Sequence, residues 1–299
     1  MNSVKKKGNF KVGYVTIVGK PNVGKSTLMN VFLERKISIV TPKPQTTRNR
    51  VLGIMNRNNY QIIFLDTPGL ITPKYQLQKS MIKTAESSLK EADIILMMID
   101  MNSKGPDTEP VIDTLRSYQV PKFLLINKID LYPKELILPI IDSFKNINVF
   151  KEIIPISALH NDGLDILFSK ILKNLPSGQP FYAQDVISSE PERFFVSEII
   201  REKIFFLYEQ EVPYSVAVQI AEFKERKGRK DYIHAIIIVE RDSQKGIIIG
   251  KQGEALKRVG MKARKDIESF LGRKVYLKLE VKVRKKWRKN PAIIKGLGY

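Results

Sequence analysis

Short apolar runs alternate with longer amphipathic segments along the first part of the chain. Runs rich in apolar and β-branched residues predict six strands, at residues 10–18, 51–56, 60–66, 94–100, 121–127 and 152–156. Apolar residues at helical spacing predict helices at 25–35, 78–91, 109–119, 134–144 and 164–174. Strands that alternate with helices are typical of an α/β domain with a mostly parallel sheet and helices on both faces. We assign this domain to residues 1–178.

The pattern changes after a segment rich in Pro, Gly and Ser, which predicts a linker at residues 179–192. Beyond it we expect a helix at 193–208, strands at 215–223 and 232–240, a Gly-containing turn, a helix at 254–271 and a strand at 274–282. A basic tail follows. Residues 193–299 therefore predict a second, smaller α+β domain.

Composition narrows the possible chemistry. The chain of 299 residues has no Cys, which excludes disulfides, thiol catalysis and Cys-ligated metal and fits a reducing compartment such as the cytoplasm. Two His residues are too few for a His-rich metal site. The longest apolar runs, such as 94–99, are far shorter than a membrane span. Residues 1–11 are basic but lack the apolar core of a signal peptide.

The positive charge is concentrated at one end of the chain. The formal net charge is +20, and residues 223–299 hold 23 of the 51 Lys and Arg but only 8 of the 31 Asp and Glu. That segment therefore carries a net charge of +15, and the other 222 residues carry only +5. A charge of this size indicates a polyanionic partner, nucleic acid first and anionic lipid second.

A phosphate-binding motif lies between the first predicted strand and the first predicted helix. Residues 19–26 read Gly-Lys-Pro-Asn-Val-Gly-Lys-Ser and fit the G-x-x-x-x-G-K-[ST] pattern. Such a loop directs backbone N–H groups at phosphates, and the following helix N-terminus adds positive potential. In this pattern Lys25 neutralises the β- and γ-phosphates, and Ser26 offers a hydroxyl group to Mg²⁺.

Three further segments follow predicted strands, where ligands bind in open α/β sheets. Asp66 begins Asp-Thr-Pro-Gly, in which a carboxylate can hold Mg²⁺ through water and Gly69 can approach the γ-phosphate. Asp130, in Asn-Lys-Ile-Asp, can accept two hydrogen bonds from the guanine edge, whereas adenine has no such pair of donors. Asn127 can reach the other edge of the base, and the stem of Lys128 can lie over the ring. Residues 157–159 can supply a backbone N–H to the base carbonyl.

The order of these motifs resembles that of a Ras-like GTPase domain of the translation-factor-related class. The resemblance implies that Thr47 closes on Mg²⁺ and the γ-phosphate, with Thr46 as the alternative, and that Lys25, Thr47, Asp66 and Gly69 serve catalysis. It implies Mg²⁺ ligation by Ser26, Thr47 and, through water, Asp66. The nucleotide-contacting residues that we predict are Lys20, Pro21, Asn22, Val23, Gly24, Lys25, Ser26, Thr27, Asp66, Thr67, Pro68, Gly69, Asn127, Lys128, Asp130, Ser157, Ala158 and Leu159.

Two positions bear on the rate of GTP hydrolysis. Many Ras-like proteins have a water-orienting Gln just after the D-x-x-G motif, but this chain has Leu70. We therefore expect slow intrinsic hydrolysis that depends on a trans-acting element or a cation. Asn22 matches the P-loop Asn that helps to hold K⁺ in related GTPases; otherwise it is a polar residue that fills a tight turn.

The basic segment contains a second motif. Gly250-Lys251-Gln252-Gly253 fits G-x-x-G, and the predicted order of elements resembles a type II KH domain, which clamps about four nucleotides of single-stranded RNA at that loop. Residues 247–249 are expected mainly in the core, although one could form an apolar floor for bases. Trp287 either anchors the basic tail or stacks on a base. The RNA-binding residues that we predict are Gly246, Gly250, Lys251, Gln252, Gly253, Lys257, Arg258, Arg284, Lys285, Lys286 and Trp287.

Both domains together resemble the bacterial Era family of GTPases, and residues 197–203 and 296–299 look like that family too. The resemblance covers essentially the whole chain. It implies a monomeric ribosome-assembly factor that binds small-subunit (16S) rRNA near its 3′ end, acts in 30S maturation and engages RNA according to its GTP state. The alternatives are a GTPase that acts on the large subunit or on tRNA, and an RNA-binding module with little hydrolysis. The basic tail could also be weakly attracted to an anionic membrane surface.

Overall fold

The structure is a computed structural model that describes residues 10–101 and 108–299. Residues 1–9 of the segment considered for a signal peptide lie outside the described residues. The chain forms two compact units. Within the described residues, the first unit comprises the chain up to Ser38, Thr47–Thr72 and Met81–Ser189. The second comprises Ile39–Thr46, Pro73–Ser80 and Glu190–Tyr299.

A six-stranded sheet forms the centre of the first unit, and the six predicted strands are confirmed. The strands are β1 (Lys11–Gly19), β2 (Val51–Asn56), β3 (Tyr60–Asp66), β4 (Ile94–Asp100), β5 (Lys122–Asn127) and β6 (Glu152–Pro155). Their order across the sheet is β2-β3-β1-β4-β5-β6, and only β2, which forms a hairpin with β3, is antiparallel to its neighbour. The carboxyl ends of β1, β3, β5 and β6 therefore meet along one edge of the sheet.

The helices of this sheet begin and end where local chemistry requires. They are α1 (Lys25–Phe32), α2 (Gln76–Lys90), α3 (Glu109–Arg116), α4 (Ile137–Lys145) and α5 (Leu164–Asn174). The first helix ends three residues before the predicted bound, because Glu34 adopts a left-handed backbone with φ 52°. The helix predicted at 134–144 starts with a 3-10 turn, and the α-helix begins at Ile137, which places Pro139 in its first turn.

The second unit has a three-stranded sheet with helices against one face. In chain order its elements are α6 (Glu192–Leu207), α7 (Val212–Ser215), β7 (Ala217–Lys224), β8 (Asp231–Val239), α8 (Asp242–Ile249), α9 (Glu254–Leu271), β9 (Val275–Val283) and α10 (Pro291–Gly296). Strand β8 lies in the middle, antiparallel to β7 and parallel to β9. Alternate residues of β8, Ile233, Ala235 and Ile237, enter a core with Val259, Ala263 and Ile267 of α9.

The segment between residues 241 and 253, which we expected to be a turn, also contains a helix that we did not predict. Residues 242–249 form a helix, α8, so that the G-x-x-G segment joins two helices. From α6 to β9, apart from the one-turn helix α7, the element order is therefore α-β-β-α-α-β. Gln244 was its sequence signal, because its side-chain oxygen accepts hydrogen bonds from the N–H groups of Glu240 and Arg241 at the helix start. No helix in the part of the chain that the structure describes is long and apolar enough to cross a membrane.

Candidate functional site

The phosphate loop has the backbone that its sequence predicts. It follows β1 directly and ends in α1, with Asn22 at φ 64° and Gly24 at φ 106°. A Cβ atom at position 24 would lie 2.2 Å from Nδ2 of Asn127, so only Gly fits there. Loops that alternate right-handed and left-handed residues direct their N–H groups into a concave anion site. Thr27 lies in the first turn of α1.

The Lys25 side chain lies across this loop and is buried. Its Nζ donates to the carbonyl groups of Gly19 over 3.2 Å and of Lys20 over 2.8 Å. Burial lowers the pKa of the Lys25 amine to about 8, although the nearby Asp66 carboxylate opposes the change. Phosphate oxygens in the loop would supply the negative charge that stabilises the protonated amine.

Three oxygen-bearing side chains converge beside the loop. Ser26 Oγ lies 2.6 Å from Asp66 Oδ2 and 3.0 Å from Thr47 Oγ1, and Thr47 Oγ1 lies 3.3 Å from the same carboxylate oxygen. Asp66 is fully buried, and its Oδ1 atom has no hydrogen-bond partner among the described residues. Burial raises the pKa of Asp66, and Lys25 and Ser26 oppose that change only in part.

This donor set fits Mg²⁺, which prefers hard oxygen ligands and is bound through few carboxylates. A buried carboxylate with one unpartnered oxygen and two adjacent hydroxyl groups is a set of this kind. The geometry places Thr47 in the cluster and Thr46 outside it, because Thr46 Oγ1 contacts Thr41 Oγ1 and the Lys43 carbonyl, each at 2.8 Å.

The residues before Thr47 belong to the second unit. Within that unit, Arg201 of α6 donates to the carbonyl of Thr46 over 2.5 Å. Lys43 Nζ donates to the carbonyl of Phe205 over 2.8 Å and also to that of Tyr208, where α6 ends. A cation at a helix C-terminus satisfies carbonyls that have no partner within the helix. We did not predict these hydrogen bonds between the segment before Thr47 and α6, because no pattern in the sequence indicates them.

The Asp66–Gly69 segment also closes on the phosphate loop. The Thr67 hydroxyl donates to the Ile17 carbonyl over 2.8 Å and is fully buried, so its side chain links the ends of β3 and β1. A Cβ atom at Gly69 would lie 2.6 Å from Pro21, so the two loops touch. Leu70 lines a cavity of about 420 Å³ with Lys20 and Pro21 and offers no polar side chain to water.

The base-binding segments meet at the ends of β5 and β6. Ser157 Oγ donates to Asp130 Oδ1 over 2.5 Å, and Lys128, at φ 64°, places Nζ 3.2 Å from Asp100. Among residues 157–159, the N–H of Ser157 donates to the Asp162 carbonyl and that of Ala158 to Asn127 Oδ1. Two of the three N–H groups predicted for the base carbonyl are thus engaged within the protein, and the side chain of Leu159 is exposed.

The G-x-x-G turn of the second unit is tightly shaped. Gly250 has φ 72°, and a Cβ atom there would lie 2.6 Å from that of Ala255. Lys251 and Gln252 are exposed at its tip. Gly246 lies inside α8, one helical turn earlier, where its carbonyl accepts a hydrogen bond from the Gly250 N–H over 2.8 Å. Of the three Ile residues before the turn, Ile248 is fully buried and Ile247 is exposed.

A groove of about 440 Å³ runs from this turn between α9 and β9. Its floor is apolar and its rim carries cations, which suits a nucleic-acid strand. Of the two predicted RNA-binding cations of α9, Lys257 lines the groove, whereas the exposed Arg258 does not. The lining residues are Gly253, Leu256, Lys257, Gly260, Met261, Arg264, Leu277 and Leu279. The sequence signal for Met261 and Arg264 was their helical spacing from Lys257.

The prediction that Trp287 stacks on a base is wrong in this structure. Its side chain is fully buried, its Nε1 donates to the Ser215 carbonyl over 2.8 Å, and its ring lies 6.1 Å from that of Tyr299. Burial leaves no face of the indole open to a ligand, so Trp287 anchors the tail. The exposed cations that precede it are Arg284, Lys285 and Lys286.

Comparison with known proteins identifies the families of both domains. Residues 14–128 match the family model described as "50S ribosome-binding GTPase", and residues 211–288 match that of the KH domain. The curated protein "GTPase Era" of Geotalea uraniireducens (strain Rf4) is 48% identical over 291 residues, with 97% of this chain and 98% of that protein covered. The corresponding protein of Syntrophus aciditrophicus (strain SB) is 45% identical over 292 residues, with coverages of 97% and 95%.

Solved structures extend the similarity to the whole fold. The crystal structure of a variant of Aquifex aeolicus Era bound to GDP.AlF4- has a TM-score of 0.94 and 47% identity, with 97% of this chain and 99% of that chain covered. Era in complex with MgGDPNP and nucleotides 1506–1542 of 16S ribosomal RNA has a TM-score of 0.93 and the same identity and coverages. This chain therefore belongs to the Era family of GTPases and is a GTP-hydrolysing enzyme.

Proposed function

We propose that this protein binds small-subunit (16S) rRNA near its 3′ end through the groove of its second unit and acts in 30S maturation. The observation that carries the proposal is the groove itself, with a G-x-x-G turn at one end and Lys257 and Arg264 along it. The net charge of +15 in residues 223–299 supports a polyanionic ligand. The related Era structure with nucleotides 1506–1542 of 16S rRNA supports the choice of RNA.

In the first unit, we propose that each site residue has one role in GTP binding and hydrolysis. Lys25 and the loop N–H groups hold the β- and γ-phosphates, and the Gly69 N–H approaches the γ-phosphate. Asp130 accepts two hydrogen bonds from guanine, and the hydroxyl of Ser157, 2.5 Å away, orients its carboxylate. Asn127 keeps one amide N–H for the base, because its nitrogen carries two and Val23 takes one.

We propose that Ser26 and Thr47 hold Mg²⁺ through their hydroxyl groups and Asp66 through water. Bound Mg²⁺ neutralises charge that develops on the phosphates during transfer. The protein contributes a pre-arranged oxygen cluster in which hydroxyl contacts of 2.6 Å and 3.3 Å orient the Asp66 carboxylate. Burial of that carboxylate excludes water that would weaken its field.

Slow intrinsic hydrolysis is part of the proposal. Leu70 follows the D-x-x-G segment and cannot polarise an attacking water molecule, so a trans-acting element or a cation must assist. We propose K⁺ as that cation, held beside the phosphates by Asn22, whose left-handed backbone places it at the turn of the phosphate loop. A monovalent cation there would offset phosphate charge as an arginine finger does.

The GTP state is proposed to control RNA engagement through the segment that ends at Thr47. Thr46 is hydrogen-bonded to Arg201 in the second unit, and the next residue in the chain, Thr47, lies with Ser26 and Asp66 in the first. A change in the ligands of Thr47 therefore acts, through one peptide bond, on Thr46, whose carbonyl is hydrogen-bonded to Arg201 of α6.

We further propose that the protein works as a monomer in the cytoplasm, with weak attraction of its basic tail to anionic membrane surfaces. Arg284, Lys285 and Lys286 are exposed and supply that charge. Mass measurement by light scattering tests the monomeric state. Cosedimentation with anionic vesicles at two salt concentrations tests the attraction to membranes.

Crosslinking in cells followed by sequencing of the bound RNA tests the central proposal. Reads at the 3′ end of small-subunit rRNA are expected; reads on the large subunit or on tRNA would support the alternative GTPase. A Gly250→Asp/Gly253→Asp variant should lose these reads while GTP turnover remains, because two carboxylates at the turn repel phosphate. A Lys25→Ala variant should lose turnover, and turnover equal to that of the wild type would contradict the assigned phosphate site.

A further inference from the structure

The sheet of the second unit has a second face, opposite the helices, that carries an aromatic stack. The rings of Tyr232 on β8 and Tyr276 on β9 lie 5.8 Å apart at an interplanar angle of 11°. The guanidinium group of Arg226 lies 5.1 Å from the centre of the Tyr232 ring. Because β8 lies between β7 and β9, Tyr232 is the middle layer of this stack and Tyr276 is its outer layer.

Tyr276 lies at the free edge of the sheet. Strand β9 is an edge strand, and the Tyr276 side chain is 57% exposed. A large exposed aromatic side chain on a flat, ordered partner offers one open π-face to a planar ligand. Nucleobases stack on such surfaces in proteins that bind single-stranded nucleic acid, with little dependence on base identity.

The turn beside this stack is strongly basic. Residues 224–230 read Lys-Glu-Arg-Lys-Gly-Arg-Lys, with five basic residues against one acidic residue. Lys227, Arg229 and Lys230 are exposed, and none has an acidic partner within 4 Å among the described residues. Cations of this kind beside an aromatic surface match the alternating phosphates and bases of a single strand.

Acidic side chains on the same face are already paired. Glu222 pairs with Lys224, and Glu280 lies 3.1 Å from His234 and 3.2 Å from Lys282. These pairs cancel the carboxylate charges locally, so the basic turn keeps its excess charge. The face therefore favours a polyanion over an acidic or neutral peptide.

The aromatic stack and the RNA groove share strand β9. Side chains alternate between the two faces of a strand, so Leu277 and Leu279 line the groove, whereas Tyr276 and Lys278 lie on the opposite face of β9. A strand of RNA that leaves the groove has to pass only the free edge of β9 to reach Tyr276.

We propose that this face, formed by Arg226, Tyr232, Tyr276 and the basic turn 224–230, binds the single-stranded RNA that continues beyond the groove. A base stacks on Tyr276, and Lys227, Arg229 and Lys230 contact phosphates. The inference rests on the proposed RNA-binding function and extends its footprint beyond the roughly four nucleotides that a KH groove holds.

Two RNA probes separate this face from the groove. The first is the shortest single-stranded RNA from the 3′ end of small-subunit rRNA that the wild type binds. The second is the same RNA extended by about ten nucleotides of the natural sequence. In the wild type the extension should raise affinity about tenfold or more, because stacking and phosphate contacts are added.

Three variants of the full chain test the face. Tyr276→Ala should lose the gain from the extension and bind the short RNA as the wild type does, whereas Tyr276→Phe should keep the gain because its ring still stacks. The triple variant Lys227→Gln/Arg229→Gln/Lys230→Gln should reduce the slope of log affinity against log salt concentration for the long RNA by about 2. The matched control Lys134→Gln/Lys145→Gln/Lys173→Gln removes three exposed charges from the first unit. It should leave that slope unchanged.

The outcomes are distinguishable. Equal affinity of Tyr276→Ala and Tyr276→Phe for the long RNA would overturn the stacking surface, and an unchanged salt slope would overturn the phosphate contacts. If the wild type binds both probes equally, the face has no role in RNA binding and the groove assignment stands. If the wild type binds no single-stranded RNA from the 3′ end of small-subunit rRNA, the proposed RNA-binding function fails. GTP turnover and the melting temperature of each variant show that it is folded.

Discussion

The side-chain amide of Asn127 donates a hydrogen bond to the carbonyl of Val23 over 2.8 Å, across 104 positions of the chain. Its oxygen accepts a second hydrogen bond, from the N–H of Ala158, over 2.9 Å. Asn127 is 3% exposed and lies at the end of β5. One side chain thus joins the phosphate loop to both base-binding segments.

Replacement of this amide should loosen both parts of the nucleotide site. Asn127→Ala leaves a buried carbonyl and a buried N–H without partners, which should lower the free energy of unfolding by about 3 kcal/mol. Denaturant unfolding without nucleotide measures this loss. The control Asn58→Ala, at an exposed position in the β2–β3 hairpin, should change it by less than about 0.5 kcal/mol. Similar losses in both variants would contradict the bridging role.

Guanine recognition should depend on the charge of Asp130. Asp130→Asn exchanges an acceptor oxygen for an N–H₂ group, which suits the carbonyl of xanthine and opposes the amino group of guanine. We expect affinity for GTP to fall about 100-fold and affinity for xanthosine triphosphate to rise. Titration with labelled nucleotides measures both. Asp142→Asn, at an exposed residue paired with Lys145, should keep the wild-type preference; loss of GTP selectivity there would undermine the assignment.

Potassium should accelerate hydrolysis if Asn22 helps to hold it. We expect GTP turnover to be about tenfold faster in K⁺ than in Na⁺ at equal ionic strength, because the proposed K⁺ offsets charge that develops on the phosphates during transfer. Asn22→Ala should remove the difference and leave the rate in Na⁺ nearly unchanged. Phosphate release under both salts provides the measurement, and equal wild-type rates would refute the K⁺ site.

Trp287 should matter for stability and not for base stacking. Trp287→Phe removes the hydrogen bond to the Ser215 carbonyl and leaves part of a buried volume empty, so the free energy of unfolding should fall by about 2 kcal/mol. RNA affinity at a temperature where the variant is folded should stay within about twofold of the wild type. Phe206→Leu, at an exposed aromatic position of the same unit, serves as the control and should change neither quantity. A tenfold loss of RNA affinity in Trp287→Phe would restore the stacking hypothesis.

The ion pair of Asp231 and Arg273 should make the second unit sensitive to acid. Burial disfavours the Asp231 carboxylate, but hydrogen bonds from Arg273 Nε at 2.5 Å and from the Arg226 N–H at 2.9 Å outweigh it and lower its pKa. A lowered pKa adds stability above the unfolded value of about 3.9, and that stability is lost as the pH falls through the folded value.

Arg273→Leu removes the main partner of a carboxylate whose side chain is only 6% exposed. The free energy of unfolding should fall by about 2 kcal/mol at pH 7, less than for a fully buried pair because Arg273 is partly exposed. The gap to the wild type should narrow below about pH 4, where the acid is protonated. Urea unfolding from pH 3 to pH 7 measures it. Asp231→Asn cannot titrate at this position, so adding Arg273→Leu to Asp231→Asn should produce a loss that no longer changes with pH; a loss that still narrows in acid would implicate another group.

Local sequence patterns were sufficient to predict an element where a single effect, either burial of apolar side chains or backbone geometry, determines its structure. Runs such as 51–56, 60–66 and 94–100 became strands with the predicted bounds, because each is apolar over a length that only a buried strand accommodates. The phosphate loop was equally predictable, since its Gly residues are required by backbone geometry that no other residue adopts without a clash.

Local patterns failed where an apolar run was too short to distinguish a strand from a helix. Residues 247–249 are three Ile in a row, a pattern that is as typical of a strand as of a helix, and the helix α8 was missed. The tail hid another helix, α10, although Asn290 caps it by accepting hydrogen bonds from the N–H groups of Ala292 and Ile293. The capping residue Asn290 was visible in the sequence, but we interpreted the surrounding run of basic residues as a tail without a helix.

The sequence alone determined the order of the two folds, the residue types that meet phosphate, base and RNA, and the location of the positive charge. These features follow from spacing along the chain and from the chemistry of single side chains. Only the tertiary structure decided that Thr47 and not Thr46 joins Ser26 and Asp66, that Trp287 is buried, and that Tyr276 forms the exposed end of an aromatic stack. Those outcomes depend on which distant segments pack together, and packing is settled by shape and burial across the whole fold.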